Sequence, residues 1–268
     1  MSGPRTVPVP PHGSVTLVDA MGDDATVVAR ARASTDGAFR GWPGDERLLR
    51  YLMAHAHTSP FEMVELVFEV VCPLVVARQW QRHRTFSYNE LSGRYAALPA
   101  QQYVPARDGW RRQDPRNRQG SAGRLDPTDA ACCEALLVRA QEAAARFEAV
   151  AREYGVAREQ ARLATNLTRY TRFYVKGNLH NWFRFLRLRL HPAAQAETRA
   201  YAAAVATLVR ERCPRSYALF EEYILYSVRL NRSEVEELRA WLAALPASPA
   251  RDRWLTRLAA SSSSPSPS

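Results

Sequence analysis

The stretch RQWQRHRTFSYNELSGRY, Arg78 to Tyr95, gathers Arg78, Arg82, His83, Arg84, Glu90, Ser92 and Arg94, and has no lysine. Ser87, Asn89, Ser92 and Gly93 are turn formers, so the end of the stretch reads as a tight loop. A Glu-Leu-Ser-Gly-Arg loop offers backbone N–H groups, a hydroxyl and a guanidinium to one point. Amide donors plus a bidentate arginine make a phosphate cradle. Glu90 is the odd member, because guanidinium neighbours hold a carboxylate ionised. In that state it can accept from a sugar hydroxyl or orient an arginine. Ser92 is read as a phosphate donor and not as a nucleophile, since no histidine and aspartate pair with it in sequence. Two other readings stand beside the anion site. One is a solvated basic helix with Glu90 in a salt bridge. The other is a nucleic-acid surface in which arginine alternates with Phe86, Tyr88 and Tyr95 for stacking. The RNP-type and KH-type patterns that would support the latter are absent, so nucleic acid is not the expected partner.

The elements that must position these residues can be read outward from the stretch. It follows the apolar run VVCPLVVA. Pro73 opens a helix well, and PLVVARQWQRHR continues it. That helix would place Gln79, Arg82 and His83 at i, i+3 and i+4 on one face and end near Phe86. Upstream, EMVELVFEVV alternates, with Val64, Leu66, Phe68 and Val70 on one side, and reads as a half-buried strand. DERLLRYLMAHAH, Asp45 to His57, has helical spacing and is stopped at Thr58-Ser59-Pro60. A short strand is expected at Ser14–Asp19, and a helix over ATVVARARAS.

Residues 107–128 are polar and bear Gly and Pro, and are expected to form a long loop. Thr128 or Asp129 should cap a helix running to about Tyr154, with Gly155 past its end. A second helix from near Val156 carries Arg162. NLHNWFRFLRLRL puts Leu179, Trp182, Phe183, Leu186 and Leu190 on one face. An Ala-rich helix to about Arg212 and a shorter one after Pro214 follow. The expected fold is α/β (α+β), helix-rich with a small central sheet. Residues 1–13 are expected to form a flexible arm, 14–228 the main domain, and 229–268 a helical extension ending in a disordered Ser/Pro tail.

Composition limits the alternatives. The 268 residues, 46% hydrophobic and 10% aromatic, suffice for a sizeable core. No stretch approaches the roughly 20 apolar residues of a membrane span, and MSGPRTVPVPPHG lacks a signal core, so a cytoplasmic protein is expected. Cys72, Cys132, Cys133 and Cys213 contain no C-x-x-C pair, and neither they nor His55 and His57 make a metal site. The formal charge of +10 points to an anionic partner. However, Lys176 is the only lysine among 37 basic residues. That bias, with abundant alanine, fits GC-rich coding and weakens the inference from charge alone.

The block Arg82-His83-Arg84, TFSYNEL, Ser92 resembles the R-H-R, seven residues, S signature of the flavin-dependent thymidylate synthase family. YLMAHAHTSPFE, AREQARLATNLTRYTRFY and GNLHNWFRFLRLRLHPAAQAE are similar to further segments of that family, so the resemblance spans Val15 to Leu225. It implies an enzyme that methylates C5 of UMP or dUMP. Such enzymes use FAD, methylenetetrahydrofolate and NADPH, and are homotetramers with active sites shared between subunits. By the same resemblance Gln79, Arg82, Glu90, Leu91, Ser92, Gly93, Arg94 and Arg162 would bind the nucleotide. Arg189 would sit on the uracil as the catalytic residue. His57, Ser59, Arg82, His83, Arg84, Glu90 and Asn178 would hold the flavin, with His180 and Arg184. Three positions depart from the family pattern: Met63 stands where a histidine often follows P-F-E, His180 replaces an arginine, and Arg184 replaces His or Asn. A UMP-methylating relative from nucleoside-antibiotic biosynthesis is one implied identity; a non-catalytic nucleotide- or RNA-binding relative is the alternative.

Overall fold

The structure is a computed structural model that describes residues 4–42, 44–118 and 120–260. It divides into two units, Met1–Leu225 and Tyr226–Ser268. The first is built on a five-stranded antiparallel sheet. Its strands are β1 (Arg5–Val9), β2 (Gly13–Met21), β3 (Glu65–Pro73), β4 (Ser87–Glu90) and, later in the chain, β7 (Tyr170–Asn178), in the order β1-β2-β3-β7-β4. A separate ribbon pairs β5 (Arg111–Gln113) with β6 (Ser121–Arg124). The helices of this unit are α1 (Asp24–Ala33), α2 (Glu46–Ala54), α3 (Ser59–Glu62), α4 (Leu74–Trp80), α5 (Pro127–Glu153), α6 (Arg158–Ala161), α7 (Leu179–Arg189), α8 (Ala196–Arg212) and α9 (Pro214–Phe220). The second unit holds α10 (Arg232–Ala244) and α11 (Pro249–Ala260). The mixed helix-and-sheet class with a small sheet is the one expected from sequence, and the antiparallel pairing is added by the structure.

The core forms where two periodicities meet. In β3 the alternation buries Leu66, Phe68, Val70 and Cys72. In β7 it buries Thr171, Phe173 and Val175, and the register sets Phe68 opposite Val175 and Val70 opposite Phe173. The apolar stripe of α7 (Leu179, Trp182, Phe183, Phe185, Leu186) covers this face. Trp182 lies edge-on to Phe68, with centroids 4.7 Å apart, and its Nε1 donates to Gly177 O at 2.9 Å. Each such fully buried side chain contributes about 1.5–3 kcal/mol.

Several expectations are corrected. Residues 5–9 are not a loose arm: they pair with β2 from Arg5↔Leu17 to Val9↔Gly13, and Val9 is buried. Pro8 is tolerated because β1 is an edge strand, where a missing N–H costs no ladder bond. Residues 107–128 are not a plain loop but contain the β5–β6 ribbon, and α5 is capped by Asp126, which accepts from Thr128 N at 2.8 Å. The helix α4 ends at Trp80, well before Phe86. Trp80 O accepts from His83 N at 2.9 Å and from the Tyr88 hydroxyl at 2.9 Å, so the turn closes early and the chain is free to join β7 as β4. Gln79, Arg82 and His83 therefore do not share a helical face. The strand β7 is not among the elements expected from sequence. The Ser/Pro tail lies outside the described residues.

Candidate active site

Two groups of functional side chains emerge, one around β4 and one along α7. The first lines a cavity of about 540 Å³ made by Glu90, Leu91, Ser92, Gly93 and Arg162 together with Arg78, Glu159, Thr165 and the leucines 74, 98, 163 and 167. Glu90 is the last residue of β4. Thr171 Oγ1 donates to its Oε1 at 2.8 Å and Gln81 Nε2 to its Oε2 at 3.0 Å, so two neutral donors fix the carboxylate plane. Leu91 N donates to Arg172 O at 2.9 Å and carries the strand pairing one residue further. The chain then turns: Tyr95 N and Ala96 N donate to Ser92 O at 3.0 and 3.1 Å, and Ser92 Oγ accepts from Arg94 N at 3.3 Å. A Cβ on Gly93 would stand 3.2 Å from Arg162 Cδ and 3.4 Å from Leu98 Cγ. The missing side chain lets the turn lie directly on the guanidinium-bearing side chain of Arg162. The result is a hydroxyl, a turn and a guanidinium at one end of the cavity and an oriented carboxylate beside them, a donor set suited to a phosphate and a sugar hydroxyl. At the rim, Arg94 pairs with Glu159 at 3.4 Å, an exposed contact worth little.

The second group is carried by α7 and what packs on it. Asn178 caps the helix, its Oδ1 accepting from Asn181 N at 2.9 Å. His180 and Arg184 follow one turn apart on the same face, and Arg189 ends the helix. Arg189 Nε donates to His83 Nε2 at 2.9 Å, Nη2 donates to Gln79 O at 3.0 Å, and Nη1 approaches Gln79 Oε1 at 3.5 Å. Gln79 in turn donates to the Gln195 side chain. Burial, and then the charges of Arg189 and Arg184, push His83 down to about 4. The imidazole is therefore neutral at pH 7, and its lone pair is what receives Arg189. Burial also lowers His180, with Arg184 acting in the same direction and Glu62 against it. Burial lowers Arg189 itself, opposed by Tyr88.

His57 and Ser59 stand near this helix through α3, whose Phe61 meets Phe183 of α7 edge-on at 6.4 Å. His57 is exposed, its ring 5.5 Å from Tyr51, which stacks on His55 at 4.1 Å. Arg82, Arg84 and Arg184 are exposed, and among the described residues none has a carboxylate within ion-pair distance. An exposed guanidinium without an acidic partner is a donor to which an anionic group can pair.

The nucleotide set expected from sequence thus divides. Glu90, Leu91, Ser92, Gly93 and Arg162 share the cavity, with Arg94 at its rim; Arg189 at the end of α7 is bonded to Gln79 of α4, and Arg82 is not among the lining residues. The cavity-lining side chains of Arg78, Thr165 and Leu98 are additions to that set. Arg78 is visible in the same basic stretch, whereas Leu98 has no signal in sequence, since its place depends on a long-range contact with Gly93.

The model of the thymidylate synthase complementing protein family matches residues 16–215. A flavin-dependent thymidylate synthase of Thermus thermophilus is 48% identical over 242 residues, covering 90% of this chain and 88% of its own length. One from Ruegeria pomeroyi is 42% identical, covering 89% and 80%. Among solved structures, the UMP/dUMP methylase PolB from Streptomyces cacaoi, bound with 5-Br dUMP, superposes with a TM-score of 0.72 at 31% identity over 81% of this chain and 97% of that one. Its complex with 5-Br UMP gives 0.73 at 30% identity. With the end of the signature block, Glu90 to Ser92, lining its cavity and the match running through β2 to α9, the chain belongs to the flavin-dependent thymidylate synthase family.

Proposed function

We propose that this enzyme methylates C5 of a uridine monophosphate, dUMP or UMP, in the cytoplasm. The observation that carries the reading is the cavity in which Ser92, Gly93 and Arg162 form an anion end beside the fixed carboxylate of Glu90. In that cavity Arg162 and the Ser92 turn hold the phosphate, and Glu90 accepts from the sugar. The structural relative, bound with 5-Br dUMP in one complex and with 5-Br UMP in another, supports keeping both nucleotides as candidates.

Uracil C5 is a poor nucleophile until charge builds on the ring. A guanidinium at the ring edge stabilises that charge where it develops, and Arg189 is assigned this task. Its Nε is held by a neutral His83 and its Nη2 by a backbone carbonyl, so it is oriented before substrate arrives without being neutralised by an acid. Because Arg189 does not line the cavity of its own chain, the reading joins the cavity of one subunit to α7 of another within a homotetramer. Asn178, His180, Arg184, His57, Ser59, Arg82 and Arg84 would hold FAD. When bound, FAD supplies the hydride, with methylenetetrahydrofolate as the one-carbon donor and NADPH as reductant.

The test is a paired assay of purified protein with FAD, NADPH and methylenetetrahydrofolate, fed dUMP or UMP, with the methylated nucleotide read by mass. The expected result is a product heavier than its substrate by the ~14 Da of one CH₂ added per transfer. No product from either nucleotide would overturn the reading.

A further inference from the structure

The cavity has a wall that no motif announces. Residues 98–103 run beside residues 166–170, and one side chain ties the two together. Arg169 donates from Nη2 to Leu98 O at 3.0 Å and from Nε to Pro99 O, while its Nη1 stands 3.5 Å from Glu148 of α5. Its side chain is only 12% exposed. All three nitrogens of one guanidinium are thus committed, two of them to consecutive backbone carbonyls. The strap continues from its neighbours: Tyr170 N donates to Gln101 O at 3.1 Å, Tyr103 N to Thr168 O at 2.8 Å, and the buried Gln141 to both Tyr103 O and Thr168 Oγ1 at 3.0 Å.

The same residue acts on the opposite wall through its main chain. Arg169 O accepts from Leu74 N, and Leu167 O from Val75 N, each at 2.9 Å. These are first-turn N–H groups of α4 that have no partner within the helix. Leu74 and Arg78 of α4 line the cavity, and so does Leu98, against which Gly93 packs beside Arg162. One residue outside the cavity therefore holds Leu98 through its side chain and α4 through its carbonyl. Neither contact touches the α7 group.

We infer that Arg169 is a positioning residue for the nucleotide cavity, holding the Leu98 wall so that the Gly93 turn and Arg162 keep the spacing a nucleoside monophosphate needs. This rests on the reading of the cavity as a uridylate site. A guanidinium is suited to the task because its planar fork meets two adjacent carbonyls at once, which an ammonium does not. Loss of the clamp loosens the anion end and leaves the residues of α7 untouched.

The experiment uses the full chain loaded with FAD and compares wild type, Arg169→Gln, Arg169→Lys and Leu98→Ala. Binding of dUMP and UMP is measured by calorimetry, KM and kcat by turnover, and flavin retention by absorbance. Arg169→Gln is expected to weaken nucleotide binding and raise its KM by roughly tenfold, the loss of one well-formed charged contact. Flavin retention should stay intact, and kcat at saturating nucleotide should be preserved. Arg169→Lys should rescue only in part. Leu98→Ala, which removes the wall and keeps the clamp, should raise KM similarly. The Arg169→Gln/Leu98→Ala pair should then show less than the sum of the two effects, since both act through one contact. Unchanged nucleotide affinity in Arg169→Gln and Leu98→Ala, in a protein that binds nucleotide as wild type, overturns the inference. Equal loss of nucleotide and flavin in those variants also overturns it, by showing general unfolding. A wild-type protein that binds neither nucleotide overturns the reading of the cavity itself.

Discussion

His83 can receive Arg189 only while its Nε2 carries no proton. In the unfolded chain the imidazole titrates near its ordinary 6.5, whereas burial and two arginines hold it at about 4 in the fold. Between those values the unfolded state binds a proton that the folded state refuses, so stability falls as pH is lowered through the window. Thermal melts between pH 7 and 4 should show a steeper acid-side loss for wild type than for His83→Gln; parallel curves would count against a buried neutral imidazole. Arg189→Ala should cost at least ~100-fold in kcat while leaving FAD bound, in the range found for removal of one charge-stabilising donor. Near-normal turnover in that variant would remove Arg189 from the chemistry. Both residues are legible in the sequence as members of a motif. Their contact is not, because it joins positions 106 apart and depends on α4 ending early.

Among the elements, β3 and α7 declare themselves by clean periods of two and 3.6. The strand β7 also alternates, with Thr171, Phe173 and Val175 inward and Arg172, Tyr174 and Lys176 outward. Its charged outer face hides the pattern beside a run already rich in arginine. What decides the join of β7 to α7 is Gly177. A Cβ there would overlap two ring carbons of Phe86, and Phe86 is itself stacked on Trp182 at 4.3 Å. Gly177→Ala should therefore destabilise by about 1–3 kcal/mol through overpacking, read from urea unfolding, with recovery when Phe86 is reduced to leucine. A neutral effect would mean that the ring can move aside freely. Removing the cap with Asn178→Ala should cost ~1 kcal/mol and loosen the flavin, measured by its release on dilution.

For the whole molecule, every residue of the cavity and of the α7 group falls within Met1–Leu225. A chain ending at Leu225 should keep its methylase activity per mole of flavin-loaded protein; loss of turnover with FAD still bound would place a catalytic contribution in the second unit. Among the described residues no helix is long and apolar enough to cross a membrane. The sequence disclosed the family and the Glu90–Gly93 and Arg162 part of the lining, but neither its leucine walls nor the separation of Arg189 from the cavity. A motif states which residue types recur, while distance is set by how α4, β4 and α7 meet.

One consequence concerns Lys176, the sole lysine. It is exposed on β7 opposite Ser87, two positions before the helix cap Asn178. Besides the α-amine of the chain, an amine-reactive dye or a tethering ester thus finds a single side chain in the folded protein. With the α-amine blocked, conjugation at Lys176 would attach a fluorescent reporter beside the α7 group with no engineered cysteine, and would fix one attachment point per chain on a solid support.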